Sequence, residues 1–193
     1  MRVFINPGHA LGGHPDPGAV NHELGIRECD IAMTVGSLAA NFLEPAGHEV
    51  SLLQSDNLMG ESEGPNVTAR ANAWEADVFV SIHCNAANGM ARGTETFCWE
   101  FGGAGERLAA SLQQAVWGCL SAADGEFPDR GVKVRKDLCV LRVTEMPAAL
   151  VELAFIDNAE DAALLMQYGA ELGKAIAEGV IVSLCLCVSM LSA

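Results

Sequence analysis

Basic residues are scarce in this sequence, and their scarcity excludes several classes of partner. The chain of 193 residues has 11 lysines and arginines against 25 aspartates and glutamates, so its formal net charge is −14. Nucleic acids require a basic face, and anionic membrane surfaces attract one. The sequence contains no large cluster of lysine and arginine. We therefore expect no nucleic acid partner and no attraction to an anionic membrane surface.

The spacing of the cysteines argues against a metal site built from thiolates. The chain has seven cysteines, at positions 29, 84, 98, 119, 139, 185 and 187. None of them forms a CxxC pair, which is the usual unit of a structural zinc site. We expect free thiols, as in proteins made in a reducing compartment.

Long apolar segments and domain boundaries are also lacking. Residues 3–5 already have strand character, so we expect no secretory leader and no transmembrane segment. The apolar C-terminal segment, about 179–193, is too short to span a bilayer comfortably, and we expect a buried helix with peripheral membrane contact as the alternative. No repeat or linker divides the chain. We therefore predict a single domain over residues 1–193.

Short buried segments alternate with stretches of helical periodicity along the chain. The predicted strands cover 3–5, 50–53, 78–82, 93–99, 138–141 and 148–155. The predicted helices cover 27–43, 66–74, 108–120, 158–166 and 170–182. Such alternation is typical of an α/β fold. We predict a single α/β domain whose twisted, mixed and mostly parallel sheet is flanked by helices on both faces.

Polar residues follow or interrupt several of the predicted strands. His9 and His83 come directly after apolar strands, Glu152 lies in an otherwise apolar strand, and Glu28 opens a helix. The carboxyl ends of parallel strands meet at one crevice, where ligands bind. Two histidines and a carboxylate form a common catalytic zinc set. An ordinary polar network stays open as the alternative, because Glu28 also suits a helix N-terminus and buried histidines find partners.

A series of short motifs extends over most of the chain. In order they are Asn6-Pro7-Gly8-His9, Asp16-Pro17-Gly18-Ala19, Gly25-Ile26-Arg27-Glu28, Arg70-Ala71-Asn72, Val80-Ser81-Ile82-His83-Cys84-Asn85, Gly93-Thr94-Glu95-Thr96-Phe97, Arg130-Gly131-Val132-Lys133, Val140-Leu141-Arg142 and Pro147-Ala148-Ala149-Leu150-Val151-Glu152. With these motifs in this order, the chain resembles the zinc-dependent N-acetylmuramoyl-L-alanine amidases of the amidase-3 family. Members of that family are bacterial cell-wall enzymes and phage endolysins.

The resemblance implies the roles of four residues. One zinc ion per chain would be held by His9, Glu28 and His83, and Glu152 would be the catalytic glutamate. The substrate would be peptidoglycan, cut at the amide between N-acetylmuramic acid and L-alanine. A zinc peptidase acting within the stem peptide and a catalytically silent wall-binding module stay open as alternatives.

Further residues near the expected crevice each have two possible interpretations. Asn85 and Arg142 are candidates for substrate binding, with structural hydrogen bonding as the alternative. His14 lies in a first loop that is longer than usual for the family, where it could approach the metal or stay exposed. Gln54 and Ser55 replace a threonine–arginine pair that many members carry. The sequence leaves open the host, the preferred stem peptide and the oligomeric state.

Overall fold

A computed structural model describes residues 1–62 and 64–191, with side chains described up to residue 185. The strands in this part of the chain are β1 (Arg2–Pro7), β2 (Val20–Asn21), β3 (Ile26–Arg27), β4 (Glu49–Leu52), β5 (Val78–Asn85), β6 (Thr94–Cys98), β7 (Asp129–Val134) and β8 (Ala148–Phe155). The α-helices are α1 (Glu28–Leu43), α2 (Val67–Ala73), α3 (Ala104–Ala123), α4 (Cys139–Arg142), α5 (Ala159–Gln167) and α6 (Gly169–Leu191). Strands and helices alternate as the periodicity of the sequence predicts.

Six of the strands form one mixed sheet in the order β4-β1-β5-β8-β6-β7, and β2 and β3 form a separate small hairpin. The pairs β4–β1, β1–β5 and β5–β8 are parallel, whereas β6 runs antiparallel to β8 and parallel to β7. The carboxyl ends of β1, β5 and β8 therefore lie side by side at one edge. The predicted mixed, mostly parallel sheet is confirmed.

Helices cover both faces of the sheet. The larger core forms where α1, α3 and α6 pack on one face, against side chains such as Val80 and Val151. The smaller core lies on the opposite face, where α2 and α4 cover an aromatic layer that includes Phe4 and Phe79. The rings of these two phenylalanines stack with centroids 5.6 Å apart. Successive strand residues point to opposite faces, so each central strand contributes to both cores.

Two elements near the end of the sheet differ from the sequence prediction. Residues 138–141, predicted as a strand, form the single turn of α4, whose Val140 and Leu141 are buried in the smaller core. A short apolar run fits a buried helical turn as well as a strand, so periodicity alone does not separate the two. The edge strand β7 was not predicted from the sequence, because half of its residues are charged and it therefore lacks an apolar run.

The C-terminal helix α6 packs against α1 and α3. Its residues Leu172, Ile176, Val180 and Leu184 are buried, as expected for a terminal helix that completes the core. The prediction for segment 179–193 falls partly outside the description, which omits residues 192–193 and the side chains after 185. Among the described residues, no helix has both the length and the apolar character needed to cross a membrane.

A buried ionic network links the carboxyl end of β8 to neighbouring elements. Asp161 is fully buried, and its carboxylate accepts hydrogen bonds from the backbone N–H groups of Gly93 and Phe155. Arg92 Nε lies 2.8 Å from Asp161 Oδ1. The same guanidinium also pairs with Asp124 and with Glu160. Arg92 thus compensates a buried charge beside the strand that carries Glu152.

Replacing Arg92 with Met is expected to destabilise the protein by about 3 kcal/mol, because the variant leaves the buried carboxylate of Asp161 without its cation. Urea denaturation followed by circular dichroism measures the change. Lys174→Met is the matched control, since the contact of this lysine within the described residues is an exposed pair with Glu178. A loss below about 0.5 kcal/mol, the size expected at an ordinary surface site, would show that Arg92 is dispensable.

Candidate metal centre

Three side chains converge at the carboxyl edge of the sheet. His9 comes two residues after β1, Glu28 is the first residue of α1, and His83 lies near the end of β5. The parallel register that pairs Pro7 with Ile82 places the two histidines close to each other. One donor atom from each of the three side chains lies within 4.8 Å of the others. The sheet therefore brings together the residues that the sequence predicts as metal ligands.

The carboxylate of Glu28 is held in place on several sides. Its Oε1 atom lies 2.9 Å from His9 Nε2 and 2.9 Å from His83 Nδ1. The backbone N–H of Cys84 also donates to Oε1, and that of Ala19 donates to Oε2. Only 4% of Glu28 is exposed. The backbone bonds fix the position of the carboxylate without help from the histidines.

The electrostatics of the cluster favour a bound positive charge. Burial alone would raise the pKa of Glu28, but hydrogen bonds and charges of His83 and His9 outweigh it and hold that pKa well below its usual range. Burial opposes protonation of His9, but the hydrogen bonds and charges of Glu28 and Asp16 outweigh this and raise its pKa to about 9. In the metal-free protein a proton on His9 therefore balances Glu28, and a cation between the three donors would take over that role.

Residues around the donors orient them further. His9 Nδ1 lies 2.8 Å from Asp16 Oδ2, which leaves Nε2 facing Glu28. Metal-binding histidines typically have such an acceptor on the ring nitrogen away from the metal. For His83 no corresponding acceptor is found among the side chains described. Two imidazole nitrogens and an oriented carboxylate are a donor set that suits zinc.

Two glycines allow these side chains to pack closely. A Cβ atom on Gly8 would collide with the imidazole of His83. A Cβ atom on Gly18 would lie 2.5 Å from Glu28 Oε2 and 2.5 Å from His9 Cδ2. Gly18 also has a φ of 68°, a left-handed conformation that glycine adopts readily. The cluster therefore requires glycine at both positions.

Gly18→Ala is expected to lower metal affinity by about 10- to 100-fold, the range typical for disturbing the surroundings of metal ligands. The added methyl group would displace Glu28 or His9. Competition with a chromophoric chelator measures the affinity. Gly25→Ala is the matched control, because Gly25 has a nearly equal φ of 67° and open space around its Cβ position. Equal losses in both variants would assign the effect to backbone strain.

Glu152 lies directly beside the three donors. In the pairing of β5 with β8 it is the partner of His83. Its Oε2 atom is buried and has no hydrogen-bond partner in the described part of the chain. Burial is the main cause that raises the pKa of Glu152 to about 7; His83 and His9 oppose the shift, and the charges of Glu28 and Glu95 add to it. A carboxyl group with a pKa near neutrality can both accept and donate a proton.

The remaining candidate residues, Asn85, Arg142 and His14, lie at different places relative to the three-donor cluster. Asn85 lies at the end of β5, and its Nδ2 donates to Glu95 Oε1 at 2.5 Å. Arg142 lies on α4, before the start of β8, and its described contact is with Met59 Sδ at 3.8 Å. His14 is exposed in the first loop. Asn85 is therefore bonded to Glu95, the residue that pairs with Glu152 between β6 and β8, whereas no described contact joins Arg142 or His14 to the cluster.

Sequence reasoning missed two residues that support the centre. Asp16 orients His9; it lies in the motif Asp16-Pro17-Gly18-Ala19, but the sequence assigns it no role at the metal centre. Gln54 is buried, and its Nε2 donates to the carbonyl oxygens of Gly8 at 2.9 Å and of Cys29 at 2.8 Å. It thus links the backbones that precede His9 and follow Glu28. Its buried amide became significant only when the fold showed what surrounds it.

Comparison with solved structures places the fold among known amidases. The N-acetylmuramoyl-L-alanine amidase AmiC2 of Nostoc punctiforme superposes with a TM-score of 0.79 at 26% identity, covering 95% of this chain and 97% of that one. The catalytic domain of CwlV, an N-acetylmuramoyl-L-alanine amidase from Bacillus (Paenibacillus) polymyxa, superposes with a TM-score of 0.79 at 25% identity and covers 95% of this chain and 97% of that one.

Sequence relatives lead to the same group. A protein of Bacillus subtilis named YqiI, whose activity is uncharacterised, is 34% identical over 92% of this chain and 82% of its own length. The sporulation-specific N-acetylmuramoyl-L-alanine amidase of the same species is 33% identical over 84% of this chain, which spans 59% of that protein. Residues 3–182 match the profile of the N-acetylmuramoyl-L-alanine amidases. With this match over nearly its whole length, the chain belongs to the amidase-3 family of N-acetylmuramoyl-L-alanine amidases.

Proposed function

We propose that this protein hydrolyses the amide bond between N-acetylmuramic acid and L-alanine in peptidoglycan, using one zinc ion held by His9, Glu28 and His83. The observation that carries the proposal is the convergence of these three donors within 4.8 Å, with Glu152 in register beside them. Membership of the amidase family supports the choice of substrate. We further propose that residues 1–193 form a single catalytic domain.

The proposed chemistry divides between the metal and the protein. Zinc, when bound, would polarise the scissile carbonyl and lower the pKa of a water molecule. Glu152 accepts a proton from the attacking water and passes it to the departing amine, which is a poor leaving group unless protonated. The unpaired, buried oxygen of Glu152 is available for both transfers. Glu28 keeps its position through the backbone bonds from Ala19 and Cys84.

The test is product analysis of digested peptidoglycan by mass spectrometry, with and without a chelator. The proposal expects free stem peptides that begin with L-alanine and glycan strands without peptides, and it expects chelation to stop their release. Cleavage within the stem peptide would assign the chain to the zinc peptidases instead. Binding to the wall without any product would make it a binding module. Activity that survives removal of all metal would exclude the zinc mechanism.

A further inference from the structure

A group of basic residues lies beside the candidate centre of this acidic chain. Four of the 11 lysines and arginines lie within seven positions, at Arg130, Lys133, Arg135 and Lys136. The first two belong to the edge strand β7, and the other two follow it directly. We call Arg130, Lys133 and Arg135 the basic strip. The proposed reaction gives these three residues no role.

The register of the sheet places the strip on the same face as a row of polar residues that includes Glu152. Glu152 pairs with His83 on one side and with Glu95 of β6 on the other. These three residues therefore form a row across one face of the sheet, the face of the smaller core. Lys133 pairs with Phe97, a member of that core, so it points to the same face as Glu95. The strip thus borders the face on which Glu152 lies.

Glu95 anchors the strip but compensates only part of its charge. Its Oε2 atom accepts from Lys133 Nζ and, at 3.3 Å, from Arg130 Nε. Its Oε1 atom accepts from Asn85. Arg135 is paired with Asp137 at 2.6 Å, whereas Arg130 and Lys133 share the one buried carboxylate of Glu95. One positive charge of the strip is therefore uncompensated by the ion pairs of the described residues. The side chains of Arg130 and Lys133 are 36% and 43% exposed, so both are open to a ligand.

Aromatic rings hold the guanidinium groups of the strip in position. Arg130 Cζ lies 4.9 Å from the ring centroid of Phe155, and Arg135 Cζ lies 5.2 Å from that of Phe97. Arg130 Nη1 has a 3.5 Å bond to the carbonyl of Arg92, and its Nη2 has no partner in the described part of the chain. A guanidinium fixed through Nε and stacked on a ring presents its outer nitrogens to a carboxylate.

The spacing suits a short peptide that extends from the scissile bond. Strand β7 is two positions from β8 in the sheet, a separation of about 10 Å at the usual strand spacing. An extended peptide advances about 3.3–3.6 Å per residue, so its second residue lies about 7 Å along this distance. The side chains of Arg130 and Lys133 reach back from β7 as far as Glu95 on β6, which covers the remainder. The acidic groups that follow L-alanine in a stem peptide would fall within reach of the strip.

We infer that Arg130 and Lys133, anchored by Glu95, bind a free carboxylate of the stem peptide next to L-alanine and so determine which peptides are cut. The inference rests on the proposed function and adds specificity to it. An α-carboxylate on the second residue is the chemical group that the strip fits best. Its amidated form carries no charge and would lose the interaction. The strip would therefore make the protein select acidic stem peptides over amidated ones.

The test uses two soluble N-acetylmuramoyl tripeptides, L-alanyl-γ-D-glutamyl-L-lysine and its form with an amidated glutamate α-carboxylate. The unmodified protein should cleave the acid with a kcat/KM roughly tenfold above that for the amide, the size of one hydrogen bond to a charged group. The single variants Arg130→Gln and Lys133→Met each leave Glu95 with one cation, and each should reduce this preference through a higher KM for the acid, with a smaller change for the amide. Lys174→Met, on the remote helix α6, is the control.

The possible outcomes separate the inference from the function. Equal cleavage of both fragments by the unmodified protein would overturn the inference and leave the function standing. An equal loss on both fragments in the two single variants, with a lower melting temperature, would show a merely structural role and would also overturn it. Weaker binding of isolated teichoic acid with unchanged peptide preference would assign the strip to an anionic wall polymer instead. Cleavage of neither fragment would overturn the proposed function itself.

Discussion

Replacing Glu152 with Gln is expected to lower the rate of peptidoglycan hydrolysis by about a hundred- to ten-thousand-fold, the usual contribution of general acid–base catalysis. Glutamine keeps the size of the side chain and much of its hydrogen bonding, but it cannot accept the proton of the attacking water. The carboxyl group is well suited to this task, since burial raises its pKa to about 7 in the metal-free chain. Release of soluble peptides from purified cell walls measures the rate.

The Glu152→Gln variant is informative only if fold and metal content are retained. Circular dichroism and zinc analysis should give the values of the unmodified protein, because Glu152 is outside the three-donor set. Glu23→Gln is the matched control, since Glu23 lies exposed in the turn between β2 and β3. A Glu152→Gln protein that cleaves at close to the normal rate would refute the assignment of the base. Glu23 and His14 would then be the next residues to examine.

The second large effect concerns the metal. His83→Ala is expected to lose both zinc and activity, because it removes one of three donors and the hydrogen-bond partner of Glu28 Oε1. The loss of affinity should exceed the 10- to 100-fold that typically follows from removing a group that only orients a ligand. Asp16→Asn removes such an orienting carboxylate from His9 and should fall within that range. Zinc content after dialysis against a competing chelator distinguishes the two variants.

A matched histidine serves as the control for His83→Ala. His14→Ala should keep about one zinc ion per chain, the content that a three-ligand catalytic site requires, because the described part of the chain gives His14 no contact with the donors. If His14→Ala lost the metal as well, the first loop would have to contribute a ligand in solution. Full zinc occupancy in His83→Ala would show that the ion is bound elsewhere.

The sequence by itself determined the type and order of most elements and the side chains at the strand ends. Apolar runs such as residues 78–82 define buried strands through local periodicity, and the polar residues His9 and His83 lie near the ends of those strands. The parallel α/β pattern then implied a common edge for these side chains. For this reason the fold class was predictable without coordinates, and the family resemblance selected His9, Glu28 and His83 as the donors among these polar residues.

Only the tertiary structure decided how these parts meet. The neighbours of β5 are β1 and β8, which come from distant parts of the chain, and periodicity carries no information about such pairing. The roles of Asp16 and Gln54 depend on that pairing, because each bonds to groups brought near by folding. The same holds for Glu95 of β6, which forms an ion pair with Lys133 of the neighbouring strand β7. Local sequence fixes which groups exist at the edge of the sheet, but strand order and packing decide which of them touch.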